Sequence, residues 1–478
     1  MVFTPKSAGL ALFSLGLAAR GATAVSNCAG LIDAIGVTAN IVLESDFSCT
    51  DEITVGASQT VTVTGPHVIT IDPHFSSAVS SLFVNEGSLT LDGVTMESQA
   101  AGGIRAVHNE GDLSLVGCTF SSLFGTTTSM LSVGGVIYSE SAGSIEIESS
   151  TFTSNAVSDK GGALYVVGTE TLAITGSTFT DNEVGPGAGD GAAGGDIYAG
   201  TGVEITIAGS DFSGSKVEYG GAAIECCGAT ITNSTFSNTK SEMLGDHFGA
   251  ILVGRRGQAA CPRLLELKET TFTNCVVDSG IGAGGAVAIF DTTAVISDCV
   301  FQGSQGTAVL FESSSAEGAH KLDMSSNQFN ENTFPAEAFA ASVAQGAAVV
   351  VINTGLEEGA EPVSMGSFTD MYCFANEPYE CEFVYDLAAI VHDGEFKCHV
   401  CDMEGVRQVV SSDDDFLGGS TKDAADSGSS GDNQGTVVGL SLALGLTLVV
   451  IGALAVWKFK VRKQARRLMD DMDDQVEF

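Results

Sequence analysis

The residues of this 478-residue chain whose types could do chemistry are its cysteines, its carboxylates and one sequon. Four of the twelve cysteines, Cys373, Cys381, Cys398 and Cys401, cluster late and end in a C-x-x-C. In a reducing compartment such a set suits zinc; in an oxidising one it suits two disulfides. A redox role for Cys398-His399-Val400-Cys401 needs a βαβ setting that the flanking sequence lacks. Cys28 and Cys49 bracket a short helix-like stretch, Leu31 to Ile35, and read as a disulfide. Asn233-Ser234-Thr235 is a sequon for N-glycosylation, which requires an outward Asn side chain. Gly185–Asp196 resembles one Ca²⁺-binding Gly-Asp nonapeptide, but such sites need tandem copies, so it reads as a loop.

Sugar chemistry would need two carboxylates facing across a cleft, or an Arg or Lys base with Ca²⁺ held by clustered Asp. With 59 acidic residues, isolated carboxylate pairs carry no information. No compact cluster stands out, and basic residues are scarce: Arg105 and Lys160, then scattered lysines and Arg255/Arg256. Gly65-Pro66-His67 and His108-Asn109-Glu110 are the nearest fragments to a site, and each reads as a corner. No catalytic, cofactor or metal residue is assigned; loosely bound Ca²⁺ on an acidic surface is the one cofactor expectation.

The elements that would position any site come from a repeat. Nine copies end on a large apolar residue: Met96, then Phe120, Phe152, Phe179, Phe212, Phe236, Phe272, Phe301 and Phe329. Aliphatic residues at minus seven and minus five, such as Leu172 and Ile174 before Phe179, alternate with polar ones and so share one face of a short strand. Minus two is small and has the parity of zero, so the chain must turn between minus five and zero. Gly93, Gly117, Gly176, Gly209, Asn233, Asp298 and Ser326 at minus three tolerate that corner; Glu269 fits poorly. Cys118 and Cys299 fall at minus two, where other copies carry Ser, and read as buried thiols. Cys226 and Cys227 are adjacent and would point to opposite faces of a strand; Cys261 is within reach of one of them. Asn155, Asn182 and Asn332 at plus three suit a second corner of stacked amides.

Between the Phe units runs a Gly-Gly step followed by a small and an aliphatic residue, as in Gly161-Gly162-Ala163-Leu164. Each repeat thus holds two or three short strands and cannot close a core alone, so copies must stack. Ten or so coils predict a rod on the order of 50 Å long.

The paired Gly-Gly-Ala-Ile-like and Phe-x-x-Asn motifs, here Phe152–Asn155, Phe179–Asn182 and Phe329–Asn332, resemble the repeats of the chlamydial polymorphic outer-membrane proteins. Those are similar to right-handed parallel β-helices of the pectin-lyase-like superfamily. The resemblance covers roughly residues 85 to 335 and implies an all-β, right-handed parallel β-helix. It implies little about activity, because such solenoids host adhesins, lyases, hydrolases and spacers. The Asn-Thr-Asp, Asp-Asp, Gly-His-Gly and Arg-x-Lys blocks of the polygalacturonase-like members are missing, as is a β-barrel translocator.

Residues 1–24 read as a secretory signal peptide with cleavage after Ala24. Residues 25–84 are expected to form an N-terminal cap and first coils, 85–370 the repeats, 371–410 a Cys-rich cap and 411–434 a flexible acidic stalk. Gly435 to Trp457 gives 23 uncharged residues followed by a basic run, a single-pass type I membrane helix with a tail at 458–478. Gly435-x-x-x-Gly439 would allow weak homodimer pairing of that helix. Outside signal and tail stand 12 basic against 54 acidic residues, a field that repels nucleic acid and anionic lipid. These features point to an extracellular or lumenal surface protein that binds glycans or proteins along its solenoid without enzymatic activity. The competing class is a surface polysaccharide lyase or glycoside hydrolase.

Overall fold

The structure is a computed structural model. It describes residues 22–72, 81–98, 104–123, 133–140, 143–168, 171–185, 192–217, 220–241, 247–254, 264–277, 284–313, 320–333 and 349–353, with the backbone of Phe368–Thr369, Tyr372–Phe374, Cys381–Asp386 and Val406–Ser411. The expected stalk beyond Ser411, the membrane span and tail, and Cys398 and Cys401, lie outside the described residues. Among the described residues no helix is long and apolar enough to cross a membrane.

Every named strand pairs in parallel with its counterpart one coil away, in three long ladders of 13, 13 and 12 strands. The minus-seven and minus-five residues form the aliphatic sheet, where Leu113, Ile145, Leu172 and Ile205 sit in register. The zero residues form the phenylalanine sheet. Phe120 through Phe329 stack ring on ring at centroid separations of 4.6–5.2 Å, and none is exposed. Burying each such ring contributes about 1.5–3 kcal/mol relative to leaving it in water. The residues after each Gly-Gly step form the third ladder, with Ile137, Leu164, Ile197 and Ile224 aligned inward. Thirteen strands at about 4.8 Å make a stack of about 58 Å, longer than the ten coils expected.

The extra coils lie at the two ends, where the Phe motif is absent. Below Met96 its column is filled by Ile69 and Phe47. At the other end Cys373 takes the register place above Phe329. The backbone of the Cys-rich segment therefore continues the ladders, and the boundary expected at 370 falls inside a coil.

The corner between the aliphatic and phenylalanine strands is left-handed in every copy described. Ser149, Asn233, Glu269, Asp298 and Ser326 hold φ of 48–56° there, a region that costs an ordinary residue roughly 1–2 kcal/mol. Behind that corner the minus-two serines form a ladder. The backbone N–H of Ser150 donates to Ser177 Oγ at 3.1 Å, and that of Ser177 to Ser210 Oγ at 3.2 Å. Each hydroxyl donates in turn to the carbonyl two residues before it.

A second left-handed corner follows at plus two, and the plus-three amides stack inside it. Asn155 Nδ2 donates to Asn182 Oδ1 at 2.9 Å and to the Phe120 carbonyl at 3.2 Å. After this corner comes a fourth, five-stranded sheet of two-residue strands, including Ala156–Val157, Glu183–Val184 and Lys216–Val217. Val157, Val184 and Val217 bury against Ala192 and Ala222 in a small second core. The coil there has four strands, not the two or three expected. Two residues are too short to show a period.

Asp196 interrupts the amide column. Its carboxylate, fully buried, accepts from Asn182 Nδ2 at 2.8 Å and from Ser215 Oγ.

At the N-terminal end the helix Cys28–Ile35 lays Cys28, Leu31, Ala34 and Ile35 over the open core. Asn27 caps it by accepting from the Gly30 N–H at 2.7 Å. The helix begins three residues before the stretch expected because this cap, not the apolar run, sets its start. The Cys28–Cys49 disulfide ties the helix to the first phenylalanine-sheet strand, Phe47–Cys49. Thr23–Val25 pairs with Asn40–Leu43 as the outermost aliphatic strand, so cleavage after Ala24 would take two of its three residues.

Two outcomes test this account. Phe212→Ala leaves a ring-sized hole in the column and should lower stability by about 3–5 kcal/mol in urea unfolding. Burial, outweighing its hydrogen bonds, pushes the Asp196 carboxyl up to about 7. That lies above the unfolded value of about 3.9, so the native state holds the proton more tightly. The group's contribution is full below the unfolded value and is lost as pH rises toward the folded one. Asp196→Asn should therefore raise the melting midpoint at pH 8, with the gain shrinking toward pH 4. A pH-independent difference in circular-dichroism melts would contradict it.

Candidate functional site

Outward positions of the third ladder carry the most unusual surface among the described residues. Three consecutive Gly-Gly steps are followed by an aliphatic residue and then tyrosine: Ile137-Tyr138, Leu164-Tyr165 and Ile197-Tyr198. Register places the tyrosines directly above one another. Their rings stack at 5.5 and 5.3 Å, within 10° of parallel. Stacked faces leave ring edges for the solvent side.

Cations gather around this column. The Arg105 guanidinium carbon lies 4.4 Å from the Tyr138 ring centroid and Lys160 Nζ 4.8 Å from that of Tyr198. Each contact has cation–π geometry. His108, in register below Tyr138, meets that ring edge-on at 5.1 Å and approaches Glu110 at 3.4 Å. His108 lies within the strand Arg105–Asn109, and Asn109 points inward to accept from Asn85 Nδ2 at 2.7 Å. The triplet runs from the strand end into the bend at Glu110–Gly111, which Asn109 Nδ2 braces by donating to the Gly111 carbonyl at 2.7 Å, so the expected corner falls at its last residue. Gly65-Pro66-His67 is a corner, with Gly65 at φ 137° and His67 Nδ1 3.1 Å from Asp46.

Burial sets the electrostatics. Desolvation lowers Arg105 to about 10 against the opposing influence of Tyr138 and Glu140. It also pulls His108 down despite Glu110, and pushes the Tyr138 hydroxyl up, where a hydrogen bond to Glu140 acts in the same direction. Above Tyr198 the outward column continues as Glu225, Leu252, Ala288 and Leu310, all buried. This face reaches water at the half-buried tyrosines and, below them, at His108 and Thr54.

The residues singled out from sequence are dispersed. Asn233 is exposed at its left-handed corner. Cys118, Cys226, Cys275 and Cys299 are buried free thiols, with Cys118 Sγ directed at the Leu91 carbonyl as serine hydroxyls are elsewhere. Cys227 is disulfide-bonded while its neighbour Cys226 faces the core. The side chains of Cys373 and Cys381 lie outside the described residues. So does the middle of Gly185–Asp196, whose final Asp196 turns inward. The tyrosine column was legible one residue beyond the aliphatic position of the Gly-Gly motif.

Residues 162–356 match the family described as right handed beta helix region. With thirteen parallel coils, that match decides the architecture. The chain carries a right-handed parallel β-helix. No curated protein and no solved structure matches it, so the likeness to chlamydial polymorphic outer-membrane proteins rests on the motifs alone. The tyrosine column is an outward feature of this β-helix, built on the same stacking as its core.

Burial pushes Cys118 up to about 11 and Cys226, Cys275 and Cys299 up to about 12. Native protein at pH 8 should therefore resist iodoacetamide at all four, which react only after denaturation. Peptide mapping should find Cys227 joined to Cys261, since the Gly254 N–H bonds the Cys226 carbonyl at 3.0 Å just before the chain enters the segment holding Cys261.

Proposed function

We propose that this protein is a membrane-anchored, non-enzymatic recognition rod that binds an extended glycan or protein ligand along the outer face of its β-helix. The tyrosine column carries the reading: three aligned phenols with cations beside them, on a face otherwise buried above Tyr198. Rigid aromatic side chains with a polar tip lose little entropy on binding and combine contact area with hydrogen bonding. The signal-like N-terminus and the uncharged segment 435–457 support display outside the cytosol. The acidic field supports solubility and disfavours nucleic acid. The exposed sequon at Asn233 supports glycosylation during secretion.

The full-length chain in detergent, applied to glycan and protein arrays, should show saturable binding that weakens at least about tenfold in Tyr165→Ala, a loss of the order seen for aromatic anchors. The same preparation should release no sugar from uronate-containing or neutral polysaccharides. Turnover abolished by a single Asp or Arg substitution would replace this reading with a lyase or hydrolase. Asn233→Gln should remove the mass shift produced by peptide N-glycosidase.

A further inference from the structure

Arg105 is the anomaly of this face. Its side chain is 6 % exposed, yet among the described residues it makes no hydrogen bond or ion pair, only the ring contact with Tyr138. A guanidinium has five N–H donors and keeps its charge at any physiological pH. Burying it wholly and unpaired would be among the costliest arrangements available to a protein, and Arg105 avoids it: none of its nitrogens is both buried and without a partner, so the fork ends at the surface. Glu140 acts on it electrostatically but accepts the Tyr138 hydroxyl instead. The Tyr138 ring covers the guanidinium from one side and offsets part of the desolvation cost.

We propose that Arg105 receives an oxyanion substituent, a carboxylate or a sulfate ester, carried by an extended acidic glycan that lies along Tyr138, Tyr165 and Tyr198, with Lys160 as a second positive contact. The inference rests on the recognition reading and names its ligand class. Bidentate pairing with a planar or tetrahedral oxyanion is what a positioned guanidinium does best. The rungs favour a glycan over a peptide. Phenols repeat every 5.3–5.5 Å, near the length of one sugar unit, whereas same-face side chains of an extended peptide repeat at about 6.8 Å and drift out of step. Glu110, Glu140 and Asp159 act on His108, Tyr138 and Tyr165, so the acidic substituent seats on Arg105 and Lys160 and not over the whole face.

The test uses the full-length chain with four probes: a uronate oligosaccharide, a sulfated oligosaccharide, a neutral oligosaccharide of matched length, and poly-glutamate. One or both acidic sugars should bind at least about tenfold tighter than the neutral one, the loss expected for one charge-assisted pair. Which of them binds separates carboxylate from sulfate. Arg105→Gln should abolish that preference, Arg105→Lys should keep part of it, and Tyr165→Phe should weaken acidic and neutral sugars alike. Arg105→Gln keeps a polar side chain in the same place, so its melting midpoint without ligand should stay near wild type, and acidic sugar should no longer raise it. Equal affinity for acidic and neutral sugars, unchanged preference in Arg105→Gln, or binding of poly-glutamate alone would overturn the proposal while leaving the recognition reading intact. Cleavage of a probe would instead overturn that reading.

Discussion

Parallel stacking in strict register is the constraint from which the rest of this protein follows. Each coil takes its backbone hydrogen bonds from the coils on either side, as when the Ser154 N–H donates to the Thr180 carbonyl and the Ser149 N–H to the Thr175 carbonyl. A residue therefore sits on its equivalent about 4.8 Å away, whatever the lengths of the loops between them. Like must stack on like: Phe on Phe inside, Ser under Ser at one corner, amide on amide at the next. Stability becomes a sum over neighbouring coils rather than a property of one closed core.

That constraint explains what the sequence disclosed. The phenylalanine column, the corner at minus three and the terminal disulfide were legible because each repeats or brackets something. Glu269 shows the column overruling local preference. It fits a left-handed corner poorly, but Asn233 and Asp298 on either side adopt that conformation, and register carries Glu269 with them. What stayed hidden lacked period or lay off the motif. Two-residue strands such as Lys216–Val217 give no alternation, and the coil through Ile69 puts another residue in the Phe column. The tyrosines were hidden differently, since attention to the inward aliphatic residue stops one position short of its outward neighbour.

Polar columns inside the stack are tolerated where the next coil satisfies them, as for Asn155 on Asn182, though Thr239 and Ser304 in the same column leave a hydroxyl without a partner among the described residues. Serine hydroxyls and asparagine amides carry both donor and acceptor, so a column of them can extend indefinitely without a leftover group. An ionisable side chain breaks that economy. It has one kind of hydrogen-bonding capacity when charged, and its neighbours must answer it asymmetrically.

Asp196 and Arg105 meet that difficulty in opposite ways. Asp196 is enclosed by a donor amide and a hydroxyl and, among the described residues, pairs with no cation. Burial moves its titration to about neutrality, where taking up a proton removes the charge altogether. Its problem is solved within the fold, and its role is structural. Arg105 has no such exit. Even lowered to about 10 it remains protonated in any living compartment, and the quadrupole of Tyr138 answers only part of a full charge. Arg105 instead keeps its charge and carries its nitrogens to the surface, at the foot of the outward tyrosine column.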